Sequence, residues 1–131
     1  MIVLDTHAWV WWVSNPEKLS TKARRRIEKG VTNKEILISS ISAWEVAMLV
    51  ARLRLKLTME LKDWIAKSEA LPFLRFIPVT NQIAIKSVHL QGRLPSDPAD
   101  RIILATTIIQ EATLITADEK ILGYPQVETL W

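Results

Sequence analysis

The chain opens with three apolar residues, Ile2-Val3-Leu4, that stop abruptly at a carboxylate, Asp5. A run this short cannot make a helix, and it reads as a buried strand ended by a charge that must leave the core. The same grammar recurs at Glu35–Ser39, Arg75–Val79, Leu114–Thr116 and Val127–Leu130. Stretches with helical spacing separate these runs. Short strands alternating with helices predict an α/β fold whose mostly parallel sheet has helices on both faces and right-handed crossovers. The expected architecture is three-layer α/β/α with about four to five strands.

The connecting segments carry start and stop signals. Ala8–Val13 reads as a short helix ended by Ser14-Asn15-Pro16. Ser20 is placed to cap a basic helix over Thr21–Lys29, with Gly30 as its C′ residue. Trp44, Val46, Leu49, Val50 and Leu53 keep helical spacing from Ser42 onward, and Thr58 caps an amphipathic helix carrying Leu61, Trp64, Ile65 and Leu71. Pro78 assigns the third strand an end or edge position. Thr80–Leu90 reads as a helix and 91–96 as a loop. Asp97-Pro98 has the form of an N-cap followed by proline at N1, opening a helix to Ala112 that is apolar nearly all round. Ala117–Leu122 reads as a short helix closed by Gly123.

Composition excludes several functions. At 131 residues, 49% of them apolar, the chain makes one domain over 1–131. It has no cysteine and two histidines, so neither a disulfide framework nor a familiar zinc site fits. No apolar run approaches the ~20 residues of a membrane span, and the start lacks the basic region of a signal peptide. The expectation is a soluble cytoplasmic domain. Three glycines leave no phosphate-cradling loop.

Acids stand at equivalent places in the pattern. Asp5 ends the first strand, Glu45 opens the helix after the second, and Asp118 follows the strand ending at Thr116. In a parallel sheet these places share one edge, and Asp97 and Asp100 are brought to it at the start of the long apolar helix. Clustered carboxylates raise one another's pKa unless a cation compensates. An all-oxygen set suits Mg²⁺ or Mn²⁺, the ions that activate water against phosphodiesters. The alternative is structural. Ser42-x-x-Glu45, Asp97-x-x-Asp100 and Thr116-x-x-Glu119 all have capping-box form. Asp5 fits no such box.

Four motifs now stand in order: Val3-Leu4-Asp5-Thr6-His7-Ala8, the segment Ser39–Val46, Asp97-Pro98-Ala99-Asp100-Arg101 running on to Ala105, and Leu114-Ile115-Thr116-Ala117-Asp118. Together they resemble a PIN-domain ribonuclease of the VapC toxin type over essentially the whole chain. The resemblance implies that Asp5, Glu45, Asp100 and Asp118 hold divalent metal. Asp97 is either a cap or a partner of metal-bound water, while Thr6 and Thr116 orient neighbouring carboxylates or cap locally. It implies a Mg²⁺- or Mn²⁺-dependent endoribonuclease acting on structured RNA, of the tRNA or ribosomal class. It also implies a homodimer inhibited by a small antitoxin whose Arg or Lys enters the acidic pocket. Arg101 follows the third acid, to contact phosphate or pair with an acid. Ala99 replaces a common phenylalanine, a change of packing and not of chemistry.

The other residues have two readings each. Arg24, Arg25 and Arg26 are the first choice for phosphate contacts away from the metal, against a solvated helix face. Arg52, Arg54 and Lys56 form a second basic segment. The six tryptophans serve core or interface packing or base stacking, and Trp9 and Trp12 are spaced to share a face that meets a partner chain. His7 is structural or touches RNA. His7 also stands where the phosphohydrolase pattern Asp-x-Asp needs its second acid, which removes that rival. The remaining alternative is a non-catalytic PIN-like domain that binds RNA or a protein partner.

Overall fold

The computed structural model describes residues 1–93 and 95–131. Leu94, within the loop expected over 91–96, lies outside them. The elements run β1 (Ile2–Leu4), α1 (Thr6–Ser14), a 3₁₀ turn (Pro16–Lys18), α2 (Thr21–Asn33), β2 (Ile36–Ser39), α3 (Ser40–Ala51), α4 (Leu61–Glu69), β3 (Leu74–Ile77), α5 (Asn81–Val88), α6 (Pro98–Ile109), β4 (Thr113–Ile115) and β5 (Glu128–Leu130). The five strands lie in the order β3-β2-β1-β4-β5, and every neighbouring pair is parallel. No helix among the described residues is long and apolar enough to cross a membrane.

Side-chain alternation along β1 builds the layers. Ile2 and Leu4 enter a core with Trp9, Ala23, Ile27 and Trp64 from α1, α2 and α4. Val3 faces the other way, against Ile83 of α5 and Ile103 and Leu104 of α6. The expected three-layer α/β/α fold is therefore present, with a core on each side of the sheet. Pro78 follows β3 directly, and β3 is an edge strand, as its proline requires.

Several local expectations are corrected. Gly30 is not a C′ residue but lies inside α2, which continues to Asn33 and ends on Lys34 in the left-handed region, φ 56°. A Cβ at residue 30 would stand 2.9 Å from Ile36 Cγ1 and 3.2 Å from Ile2 Cδ1, so the glycine is there for close approach of helix to sheet. The caps of α3 and α4 are Ser39 and Glu60, not Ser42 and Thr58. Residues 117–122 form no helix; the chain turns over 119–123 instead, with the amides of Ile121 and Leu122 both bonded to the Asp118 carbonyl. Trp9 is fully buried beside Trp64 and Phe76, its indole N–H on Ser68, so it cannot join Trp12 on a partner-facing surface.

Candidate active site

The chain builds outward from β1 through β2 to β3, then crosses back to β4 and β5. The switch point lies between the carboxyl ends of β1 and β4, the place where open parallel sheets leave a crevice. Asp5 projects from the end of β1 at this point, and Thr116 and Asp118 follow β4. Glu45 reaches it from the second turn of α3, and Asp97 and Asp100 from the start of α6. All five carboxylates line one cavity of about 850 Å³, within the range of ligand sites.

Asp5 is held at both oxygens. The Ala8 amide donates to Oδ1 at 2.8 Å, making Asp5 the N-cap of α1, a role absent from its sequence signature. The Thr116 hydroxyl donates to Oδ2 at 2.5 Å. Glu45 Oε1 accepts from the Thr6 hydroxyl at 2.5 Å, and Thr6 Oγ1 lies 2.9 Å from Ser42 Oγ. Thr6 has one proton, given to ionised Glu45, so Ser42 supplies the donor in the second contact. Ser42 is wholly buried. It is therefore the rear of a relay that aims Glu45, and not the cap its spacing suggested.

The other acids are held less tightly. Asp97 caps α6 through the Ala99 amide while its carboxylate also lines the cavity. Asp118 Oδ1 accepts from the Lys120 amide, and the Asp118 amide donates to Thr116 Oγ1. Asp100 accepts no hydrogen bond among the described residues. Thr116-x-x-Glu119 is no capping box, because no helix follows it.

The electrostatics follow from this crowding. Burial pushes the Asp5 carboxyl up, against the Thr116 and Ala8 hydrogen bonds that favour its ionised form. Burial likewise raises Glu45 against the Thr6 hydroxyl, with Asp97 and Asp5 adding repulsion. Asp100 is pushed up to about 7 by burial and then by the negative charges of Asp97, Glu45, Asp118 and Asp5. Among the described residues the one ion pair within 4 Å is far away, between the Met1 ammonium and Glu35. None of the site's carboxylates is therefore ion-paired within 4 Å among the described residues.

An oxygen-only donor set at one crevice, its carboxylates not ion-paired among the described residues, fits a hard divalent ion. Among the described residues no three acidic or histidine side chains already stand close enough to hold one ion. Hydroxyls and amides pin Asp5 and Glu45, while Asp100 lacks a tether; repulsion favours keeping the carboxylates spread.

The basic residues divide between the cavity and surfaces away from it. Arg24 donates to the Pro16 carbonyl and Arg25 is exposed on α2; neither they nor Arg26 line the cavity. Arg101 donates from Nε to the Pro95 carbonyl and lines a separate cavity of about 350 Å³. The cations on the acidic cavity are Lys18, Arg52, Arg54 and Lys120. Arg52 and Arg54 belong to the second basic segment, directly after the helix that carries Glu45, and that adjacency was the available signal. Leu53, at φ 57°, turns the chain between them, and the Arg54 amide closes on the Leu49 carbonyl.

A family model of the PIN domain matches residues 2–126. The chain belongs to the PIN-domain family. This PIN domain is 31% identical over 132 aligned residues to Ribonuclease VapC22 of Mycobacterium tuberculosis, covering 99% of this chain and 98% of that one. Among solved structures it resembles VapBC2 of Rickettsia felis bound to a promoter DNA fragment. The TM-score is 0.74 at 21% identity, over 99% of this chain and 98% of that one. It also resembles FitAcB of Neisseria gonorrhoeae, with TM-score 0.68 at 20% identity, covering 100% and 97%. At those identities the structures establish the fold.

Proposed function

We propose that this PIN domain, spanning 1–131, is a VapC-type toxin: a Mg²⁺- or Mn²⁺-dependent endoribonuclease that cuts structured RNA, of the tRNA or ribosomal class. In this reading it works in the cytoplasm as a homodimer and is neutralised by a small antitoxin. The observation that carries the reading is the group of five carboxylates at the switch point, none of them ion-paired among the described residues, with Asp5 and Glu45 pushed up by burial and Asp100 pushed up to about 7. Such an arrangement is unfavourable unless a cation binds there. The ribonuclease named above, alike over nearly its whole length, supports the activity. Likeness in fold to a toxin–antitoxin complex from Klebsiella pneumoniae supports the partner. A partner's Arg or Lys entering the cavity would offset the same charge.

Asp5, Glu45, Asp100 and Asp118 would hold the ion, which when bound supplies water activation and neutralises charge on the leaving oxygen. Thr116 and the Ala8 amide keep Asp5 in one orientation, and Ser42 and Thr6 do the same for Glu45. Asp97 adds negative charge at the rim. Lys18, Arg52, Arg54 and Lys120 bring the flanking phosphates against a floor that would otherwise repel them. Five of the 14 acids and four of the 17 Lys and Arg line the cavity, so nine acids face 13 cations elsewhere, a surface suited to a polyanion.

The test is incubation of total RNA with purified protein in Mg²⁺, Mn²⁺ and EDTA, beside Asp5→Asn purified identically. Discrete fragments that need metal and vanish in the variant are expected. No cleavage together with no Mn²⁺ binding would overturn the reading and leave a partner-binding PIN-like domain.

A further inference from the structure

The cavity's aromatic wall has no part in the scheme above. Trp11, half-buried on α1, lines the acidic cavity together with His7, one helical turn earlier. These two side chains, with Asp5, Asp118 and Ala117, also enclose an adjoining pocket of about 320 Å³. Trp11 is braced from behind by Trp131, ring centres 5.6 Å apart and tilted 60°, and His7 sits 5.8 Å away, tilted 55°. The Lys18 ammonium stands over the Trp11 ring, 5.9 Å from its centre, on an exposed side chain free to swing off that face and leave it to a base. The indole is therefore a propped, flat surface that opens toward the two carboxylates nearest the switch point.

We infer that Trp11, flanked by His7, is a stacking platform for one unpaired nucleobase beside the scissile phosphate. Base faces stack on an indole regardless of base identity, so the platform selects a strand whose base is already free of a helix: a loop, bulge or end. Lys18 then pairs with the adjoining phosphate. The four cations on the rim favour a nucleic-acid occupant over an apolar peptide, since among the described residues none of them is within 4 Å of a carboxylate. The platform refines the substrate from structured RNA to an unpaired nucleotide within it, and it rests on the ribonuclease reading.

Trp11→Phe and Trp11→Leu both keep apolar bulk against Trp131, but only the first keeps a ring. Cleavage of a loop-containing RNA by the wild type and both variants separates stacking from packing. Trp11→Leu is expected to raise KM about tenfold with kcat nearly unchanged, Trp11→Phe to restore most of it, and Mn²⁺ binding to be the same in all three. In the Asp5→Asn background, a single-stranded RNA carrying 2-aminopurine should lose fluorescence on binding, and Trp11→Leu should abolish that loss. Unchanged KM and unchanged quenching in Trp11→Leu would overturn the platform and leave the ring to a protein partner. Equal KM increases in Phe and Leu variants would also overturn it, assigning Trp11 to packing. If the wild type cleaves no RNA, the ribonuclease reading itself fails, which is a different result from cleavage indifferent to Trp11.

Discussion

The two ends of the parallel sheet are built on opposite principles. At the amino end, α2 presses against β1 and β2 so closely that only a glycine fits at residue 30. The charges there are spent in water, the Met1 ammonium lying 3.5 Å from Glu35 with both groups well exposed. Such a pair contributes about 0–1 kcal/mol. At the carboxyl end, five carboxylates share a cavity, none of them ion-paired within 4 Å among the described residues, and two are held rigid by buried hydroxyls. Packing determines one end, and uncompensated charge the other. A fold that tolerates repulsion at one edge and avoids it at the other has a use for the repulsion.

That contrast can be broken from either end. Asp5→Asn should reduce RNA cleavage on the order of 10³-fold or more while leaving the melting temperature unchanged or higher, because Asn keeps the oxygen that caps Ala8 and removes a buried charge. Rates per folded molecule and a melting curve check both halves. Gly30→Ala should do the reverse. Its methyl collides with Ile36 and Ile2, and we expect a loss of about 1–3 kcal/mol in urea denaturation with cleavage per folded molecule unchanged.

Smaller changes sharpen the comparison. Ser42→Ala removes the donor behind Thr6 and should lower kcat roughly tenfold, about 1.4 kcal/mol, without altering KM; a KM effect alone would remove Ser42 from the relay. Asp100 has its pKa raised from 3.8 to about 7 on folding, so the folded state binds more protons between those values. Its contribution is therefore least unfavourable in acid, and stability falls as pH rises from about 4 to about 7. In EDTA, Asp100→Asn should flatten that slope and raise the melting temperature at pH 7.5 by roughly 2–5 °C, water screening of the half-exposed group keeping the gain modest. Saturating Mn²⁺ should flatten the slope in the wild type as well. The smallest effect belongs to the amino end. Lys34→Gly relieves a left-handed backbone at the end of α2 and should add at most about 1 kcal/mol with no effect on cleavage.

Strand positions were legible because each strand is a short apolar run ended by a polar group, and Pro78 marked an edge correctly. The order β3-β2-β1-β4-β5 was not, since nothing local in three- or four-residue strands specifies which neighbour each takes. The acids converge because strand ends share an edge whatever the order. The choice between cap and ligand was false for Asp97, whose oxygen caps a helix while it lines the cavity, and Asp5, which fits no capping box, does the same. Capping-box spacing misled at Ser42 and at Thr116, where the hydroxyls turn to Thr6 and Asp5 across the sheet. The cavity draws its cations from three separate places, Lys18, Arg52 with Arg54, and Lys120, of which only the second stood out as a basic segment.

Asp5 has two employments and Asp100 has one. A gene copy released from selection for chemistry would still be held near Asp or Asn at residue 5, because the first helix needs its capping oxygen. At residue 100 drift would instead be rewarded, since any neutral side chain there relieves repulsion and strengthens the fold. Among divergent relatives, then, an acid at the position of Asp5 says little about whether the enzyme still works. An acid at the position of Asp100, kept against the interest of stability, says a great deal.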